Sequence, residues 1–300
     1  MIKHAYDYDV VFISYDEPNA EENWEHLKDL VKHAKRVDRV KGIDKAHKQA
    51  AKIASTDHFF VIDGDTKVED WFFGQEIYNL NPNYVYSWSA KNSVNGLIYG
   101  NGGAKFWPKH IMKKISIHEK GDTDFCWSVP YYQKNDVSSE TIINASEFQA
   151  FRAGFREGTR LSLDQGKKVK NPKTDIWEGN YKRLLSWTNI GSDVENGLWA
   201  MLGARVGCYE ICTQKMDLSL ISDYEWIYGR WNLIDKNKIK KELNFYGNIL
   251  RQMFDMQIIT LSEKESAFAK MILHNPVREG LMLHELGSEV YLKKKGWWKN

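Results

Sequence analysis

His58-Phe59-Phe60-Val61-Ile62-Asp63-Gly64-Asp65 is an apolar run that stops on two carboxylates separated by one small residue. An unbroken run of aromatic and β-branched residues closed by a turn signal reads as a buried strand. Upstream, Asp9-Val10-Val11-Phe12-Ile13-Ser14 is a second such run, and it ends in the polar loop Tyr15-Asp16-Glu17-Pro18-Asn19. Asn19 is placed to cap a helix through Val31, with Trp24, Leu27, Leu30 and Val31 on one face. Arg36–Val40 reads as another strand, and Gly42-Ile43-Asp44 opens a helix to about Ala54 with Ile43, Ala46, Ala50 and Ile53 inward. Strand, helix, strand, helix, strand predicts an α/β fold, a parallel sheet with helices packed on it. Such sheets bind ligands at the carboxyl ends of their strands, so the 14–19 loop and the 63–65 turn are expected to share one crevice.

Further along, Tyr84 to Phe106 reads as strands and glycine-rich turns, and after Ser138 the texture becomes mainly helical. Ser146-Glu147-Phe148-Gln149 matches a capping box and starts a helix, expected over 146–164, with Phe148, Phe151 and Phe155 inward. Helices are also expected near 192–206, 236–256 and 261–273. With no repeat and no Pro/Ser-rich linker, the chain reads as one unit. Its α/β front half is residues 1–135 and its helical back half is residues 136–300.

Forty-two Lys and Arg against 40 Asp and Glu give a net charge of +2, so the total charge announces neither a nucleic-acid binder nor a membrane-surface protein. Hydrophobic content of 42% with 6 prolines excludes a disordered chain. Twelve Trp, 15 Tyr and 13 Phe suit a core, and suit pockets that stack on sugars or bases. Cys126, Cys208 and Cys212 read as free thiols of a reducing compartment. The start, MIKHAYDYDV, lacks the apolar stretch of a signal peptide, and no run approaches the ~18 apolar residues of a membrane span. The expectation is a soluble cytoplasmic protein with no membrane partner.

Asp63 and Asp65 can both reach a hard divalent cation, which prefers oxygen ligands and keeps positions open for phosphate. Gly64 keeps the turn tight; Asp-Gly-Asp also makes an ordinary turn. Gly100-Asn101-Gly102-Gly103 would let backbone approach a ligand closely, but lacks the Lys-Ser/Thr ending of a P-loop. G-x-S-x-G and H-E-x-x-H are absent from the sequence.

Val11-Phe12-Ile13-Ser14-Tyr15, Gly42-Ile43-Asp44-Lys45-Ala46-His47 and the stretch from Asp57 to Asp65 resemble GT-A glycosyltransferases of the family-2-like branch. That likeness covers about residues 9–130. Ser14-Tyr15-Asp16-Glu17-Pro18-Asn19, Val40-Lys41-Gly42-Ile43, Phe151-Arg152-Ala153-Gly154-Phe155-Arg156-Glu157 and Gly203-Ala204-Arg205 resemble a narrower group. These are the phage-encoded glycosyltransferases that modify hydroxymethylated bases in DNA, and this likeness extends to about residue 235. The resemblance implies a GT-A, Rossmann-like sheet and a UDP-sugar donor, with Mn²⁺ or Mg²⁺ held by Asp63 and Asp65.

It also implies that Ser14, Tyr15, Asp16, Glu17, Gly42, Lys45, Asp63, Gly64 and Gly102 line the nucleotide-sugar site. Lys45 would meet a phosphate at a helix start, or be a solvated helix residue. An inverting transfer needs a base for the acceptor hydroxyl. Asp122, with Asp124 next, stands where related enzymes carry one. His274 is the choice for a third metal ligand, over His118 and His284.

Lys105, Lys109, Lys113, Lys114 and Lys120 form one basic run; Lys293-Lys294-Lys295 with Trp297-Trp298 forms another. Arg152, Arg156 and Arg160 step every four residues along the expected 146–164 helix and would oppose DNA phosphates if they face outward. Solvated surface charge is the plainer reading of such runs. The expected activity is transfer of arabinose or glucose from a UDP-sugar to 5-hydroxymethylcytosine in phage DNA, in the host cytoplasm. The alternatives are a glycan or protein acceptor, and a non-catalytic nucleic-acid-binding protein on a degenerate GT-A scaffold. An acidic metal site beside a separate basic acceptor groove is expected to underlie the near-zero net charge.

Overall fold

A computed structural model describes residues 3–78, 80–100, 103–117, 125, 128–213 and 216–273. Its front part runs β1 (Lys3–His4), β2 (Asp9–Ser14), α1 (Ala20–Leu30), β3 (Lys35–Asp38), α2 (Ile43–Ile53), β4 (His58–Asp63), β5 (Thr66–Val68) and β6 (Glu76–Ile77). Then come β7 (Val85–Asn92), β8 (Ile98–Tyr99), β9 (Ala104–Pro108), α3 (Lys109–Met112) and β10 (Tyr131–Thr141). The remainder is α4 (Glu147–Leu161), β11 (Leu163–Asp164), β12 (Lys167–Lys168), α5 (Pro172–Asp175), α6 (Glu178–Asn189), α7 (Gly197–Cys212), α8 (Tyr224–Asn232), α9 (Ile239–Phe254) and α10 (Glu263–Leu273).

The expected βαβαβ start is present: β3, β2 and β4 lie side by side and parallel. Successive side chains of a strand point to opposite faces, so a continuous apolar strand needs cover on both. Val10, Phe12, Phe60 and Ile62 pack with Leu27 and Val31 on one face. Val11, Phe59 and Val61 pack with Ala46 and Ala50 on the other. The sheet continues in the order β4-β9-β7-β10-β5, with β9 antiparallel to both its neighbours and β10 parallel to β7. It is a curled mixed sheet rather than a purely parallel one. Only Gly64 and Asp65 separate β4 from β5, yet these strands stand four places apart in that order. The curl brings the two together, and the carboxylate turn spans the gap.

Several expected boundaries move. The strand at Arg36–Val40 is instead Lys35–Asp38, because Arg39 takes a left-handed φ of 55° and ends it. The 135/136 division falls inside β10, which pairs with β7 and β5. The helix expected at 192–206 is α7, starting only after Asn196 at φ 57°. Asn19 precedes α1 without capping it through its side chain: its amide donates to the Ile142 carbonyl (3.0 Å) and its carbonyl accepts from Gln149 (3.0 Å). Half of the capping box forms at α4, where the Ser146 hydroxyl accepts from the Gln149 amide.

The helical part has its own core, built from Phe151, Phe155, Trp187, Met201 and Leu250 among others. α4 lies directly against α7. A Cβ at Gly154 would stand 1.9 Å from the Ala200 carbonyl oxygen, and one at Gly203 2.1 Å from that of Phe151. Arg205 is 1% exposed and is held by carbonyls, not a carboxylate. It donates to Thr188, Leu243 and Ile259 and so ties α6, α7 and α9 to the 256–260 segment. Cys208 and Cys212 are buried free thiols, and Cys126 lies outside the described residues. Among the described residues no helix is long and apolar enough to cross a membrane.

Candidate functional site

The carboxyl ends of β2 and β4 open into a cavity of about 590 Å³ whose opposite wall is α4. Ser14, Tyr15, Glu17, Gly42, Asp63, Gly64 and Asp65 all line it, as do Arg152, Arg156, Glu157 and Arg160. A polar hollow of about 350 Å³ adjoins it, sharing Tyr15, Glu17, Arg152 and Tyr224 and adding Asp16, Arg36 and Asp38. The 14–19 loop and the 63–65 turn therefore share one crevice.

The turn is pinned from three sides. The Asp63 amide donates to the Gly103 carbonyl at 2.9 Å, the Ile142 amide donates to the Asp65 carbonyl at 2.7 Å, and Asn23 of α1 donates to the Gly64 carbonyl at 2.9 Å. The Glu17 carboxylate, which accepts from the Tyr15 amide at 2.8 Å, lies against Gly64, and a Cβ there would be 2.6 Å from its oxygen. Glycine at 64 therefore lets a third carboxylate approach the pair. Burial, and then the charges of Asp63 and Glu17, push the Asp65 carboxyl up to about 7 against the pull of Arg152 and Arg156. Lys105 is buried, with its ammonium 3.4 Å from Asp63 Oδ2. Carboxylates crowded this way suit a hard divalent cation. Among the described residues no group of three or more His, Cys, Asp or Glu is placed to hold a metal ion. Asp63 and Asp65 are two oxygen donors of one turn, both lining the cavity.

Around the smaller hollow, the Ser14 hydroxyl donates to Asp38 at 2.6 Å and accepts from Arg36 at 3.0 Å. Arg36 also reaches Glu21 at 2.7 Å. The Tyr224 hydroxyl donates to Asp16 at 3.0 Å, and burial with that bond pushes it up to about 12. Arg152 stands 5.4 Å over the Tyr224 ring, and Tyr15 meets that ring edge-on at 5.8 Å.

The three arginines of α4 do not form an outward stripe. They point into the cavity, across from the carboxylate turn, because the glycine and phenylalanine face of α4 is taken by α7. Acidic and basic groups thus face each other in one site instead of occupying separate regions. Arg156 Nε is buried without a hydrogen-bond partner among the described residues. Arg160 Nη1 donates to Glu157 Oε1 at 2.7 Å, and the Tyr99 hydroxyl donates to Glu157 Oε2 at 2.5 Å.

Lys45 is exposed and lines neither hollow, since the inner side of α2 is taken by Ala46 and Ala50. Gly42 lines the cavity with φ 97°, a conformation that favours glycine. Gly102, Asp122, Asp124, His118, His274 and His284 lie outside the described residues, as do Lys120, Lys293-Lys294-Lys295, Trp297 and Trp298. The sequence reading missed Glu157, Tyr99 and Tyr224. For Glu157 a signal exists: the charged stripe of Arg152, Arg156, Glu157 and Arg160 runs opposite Gly154 and Gly158, small residues that mark a helix packed closely on its other side.

Compared with known proteins, the chain matches no family model, no curated protein and no solved structure.

Proposed function

We propose that this cavity transfers a sugar from a UDP-sugar to a hydroxyl group, the favoured reaction being arabinosyl or glucosyl transfer to 5-hydroxymethylcytosine in phage DNA. The observation that carries the reading is the pairing, across one cavity at the carboxyl ends of parallel strands, of the Glu17, Asp63 and Asp65 carboxylates with the α4 arginines. A nucleoside diphosphate is an anion that takes donors from arginine directly and can be shared with carboxylates through a bridging cation. Arg152 and Arg156 supply cationic donors for phosphate oxygens. Asp63 and Asp65 would hold Mn²⁺ or Mg²⁺, which when bound neutralises the charge of the departing diphosphate. The smaller hollow suits the nucleoside: Tyr15 and Tyr224 give aromatic surface, and Asp16 and Asp38 give acceptors for a uracil or ribose.

The test is nucleoside mass spectrometry after incubating the protein with Mn²⁺, a panel of UDP-sugars and DNA containing 5-hydroxymethylcytosine. A new glycosylated nucleoside is expected; unreacted UDP-sugars throughout would remove the reading. One observation favours a second acceptor class. Because the α4 arginines face inward, they do not present a stripe to a duplex, and a glycan or protein hydroxyl fits the same donor site. UDP release that requires such an acceptor and ignores DNA would select it.

A further inference from the structure

Glu157 lies five residues beyond Arg152 on α4, which puts it about 7.5 Å farther along the helix axis, on the same cavity wall. Its side chain is 17% exposed. Both oxygens are fixed: Oε2 accepts from the Tyr99 hydroxyl at 2.5 Å and Oε1 from Arg160 at 2.7 Å. Tyr99 is itself positioned, accepting from the Trp187 indole at 3.1 Å beneath the Arg183 guanidinium, 5.2 Å from its ring centroid. A carboxylate has about four lone-pair sites, so two remain for a further donor. An inverting displacement needs its proton acceptor across the sugar from the leaving group. The carboxylates beside the leaving diphosphate are in the wrong place; Glu157 lines the main cavity but not the nucleoside hollow, and lies farther along α4 from that hollow than Arg152 and Arg156.

We infer that Glu157 is the general base for the acceptor hydroxyl, an assignment that rests on the glycosyl-transfer reading of this cavity. The hydroxyl proton passes to Glu157, the oxygen forms a bond to the anomeric carbon, and the bond from that carbon to the phosphate oxygen breaks. The electron pair leaves with UDP, and Glu157 returns its proton to solvent. The charged and titratable groups facing Glu157 are Tyr99 of β8, Arg156 and Arg160 of α4, and Arg183 of α6. Burial holds its carboxyl above the usual range, against the Tyr99 bond and the charges of Arg156 and Arg183. That suits a group that must take up a proton near neutral pH.

The experiment compares wild type, Glu157→Gln and Glu157→Asp in transfer from UDP-glucose and other UDP-sugars to 5-hydroxymethylcytosine DNA, with UDP affinity measured on each. Glu157→Gln should lower kcat by about 10²–10⁴-fold and abolish the acid limb of the pH profile. UDP affinity should stay within about twofold and Glu157→Asp should recover part of the rate. A Glu157→Gln enzyme within about tenfold of wild type overturns the assignment, and so does a loss of UDP binding that matches the loss of rate. A wild type that turns over no UDP-sugar, with or without DNA, instead removes the glycosyl-transfer reading.

Discussion

The Tyr99 hydroxyl and the Glu157 carboxylate meet at 2.5 Å, joining a strand of the sheet to the helix that forms the far wall of the cavity. A hydrogen bond to a charged group contributes about 1.5–3 kcal/mol. Tyr99→Phe removes the donor and leaves Arg160 in place. It should cost stability of about that size in chemical denaturation and lower kcat about tenfold, with KM for the UDP-sugar unchanged. A rise in KM with kcat intact would place Tyr99 in donor binding instead.

Asp65 sets a stability slope in metal-free protein. Its folded carboxyl titrates near 7 against an ordinary value of 3.8, so between those pH values the unfolded chain gives up its proton first. Raising pH through that window therefore destabilises the fold. The melting temperature in EDTA should fall by about 2–5 °C from pH 5 to pH 8, and Asp65→Asn should flatten the slope. Mn²⁺ should restore the wild type at pH 8 and not the variant. Parallel slopes in the two proteins would contradict this.

Arg156 is predicted to act on ligand more than on fold, since its Nε has no partner among the described residues. Arg156→Ala should weaken UDP about ten- to a hundredfold by calorimetry, the worth of one or two charge-assisted bonds, and hardly move the melting temperature. Unchanged UDP affinity would exclude the arginine row from the phosphate site.

Gly154→Ala tests whether the site depends on helix packing. The added methyl would stand 1.9 Å from the Ala200 carbonyl oxygen, and the atoms it meets are backbone rather than the end of a flexible side chain. Overpacking of this kind costs about 3 kcal/mol, so the melting temperature should drop by about 5–10 °C. UDP affinity should fall with it, because α4 carries the arginines on its other face. Wild-type thermal stability would show that α4 and α7 can separate freely.

The strands β2 and β4 are legible because both faces of each are buried, which leaves unbroken apolar runs. β10 is not: Tyr131 to Thr141 is mostly polar, and register shifts between Lys134 and Val137 and between Val137 and Ser139 break any alternation. Ser138 and Ser139 are fully buried there by pairing on both edges, which a residue-by-residue pattern does not record. At the site, the carboxylate turn and the first loop follow from strand ends. The arginine spacing identifies one face of α4 but not what that face meets, since charges at helical spacing serve a solvated surface and a cavity wall alike. The partner wall, from β8 and the 141–143 stretch, is distant in sequence, and only the glycines of the opposite face hint that α4 is enclosed.

The two-residue link between β4 and β5 has a kinetic meaning. β4 is completed by β9, more than forty residues later, and β5 by β10, about seventy residues later. Pairings of such sequence separation are slow to close. The carboxylate turn therefore takes its native shape only after the chain through Ile142 has docked, so an incompletely folded molecule has no assembled site for a divalent cation or a sugar nucleotide. Recovery of binding during refolding should trail the recovery of helical signal, since α4, α6 and α7 are built from local contacts and the site is not.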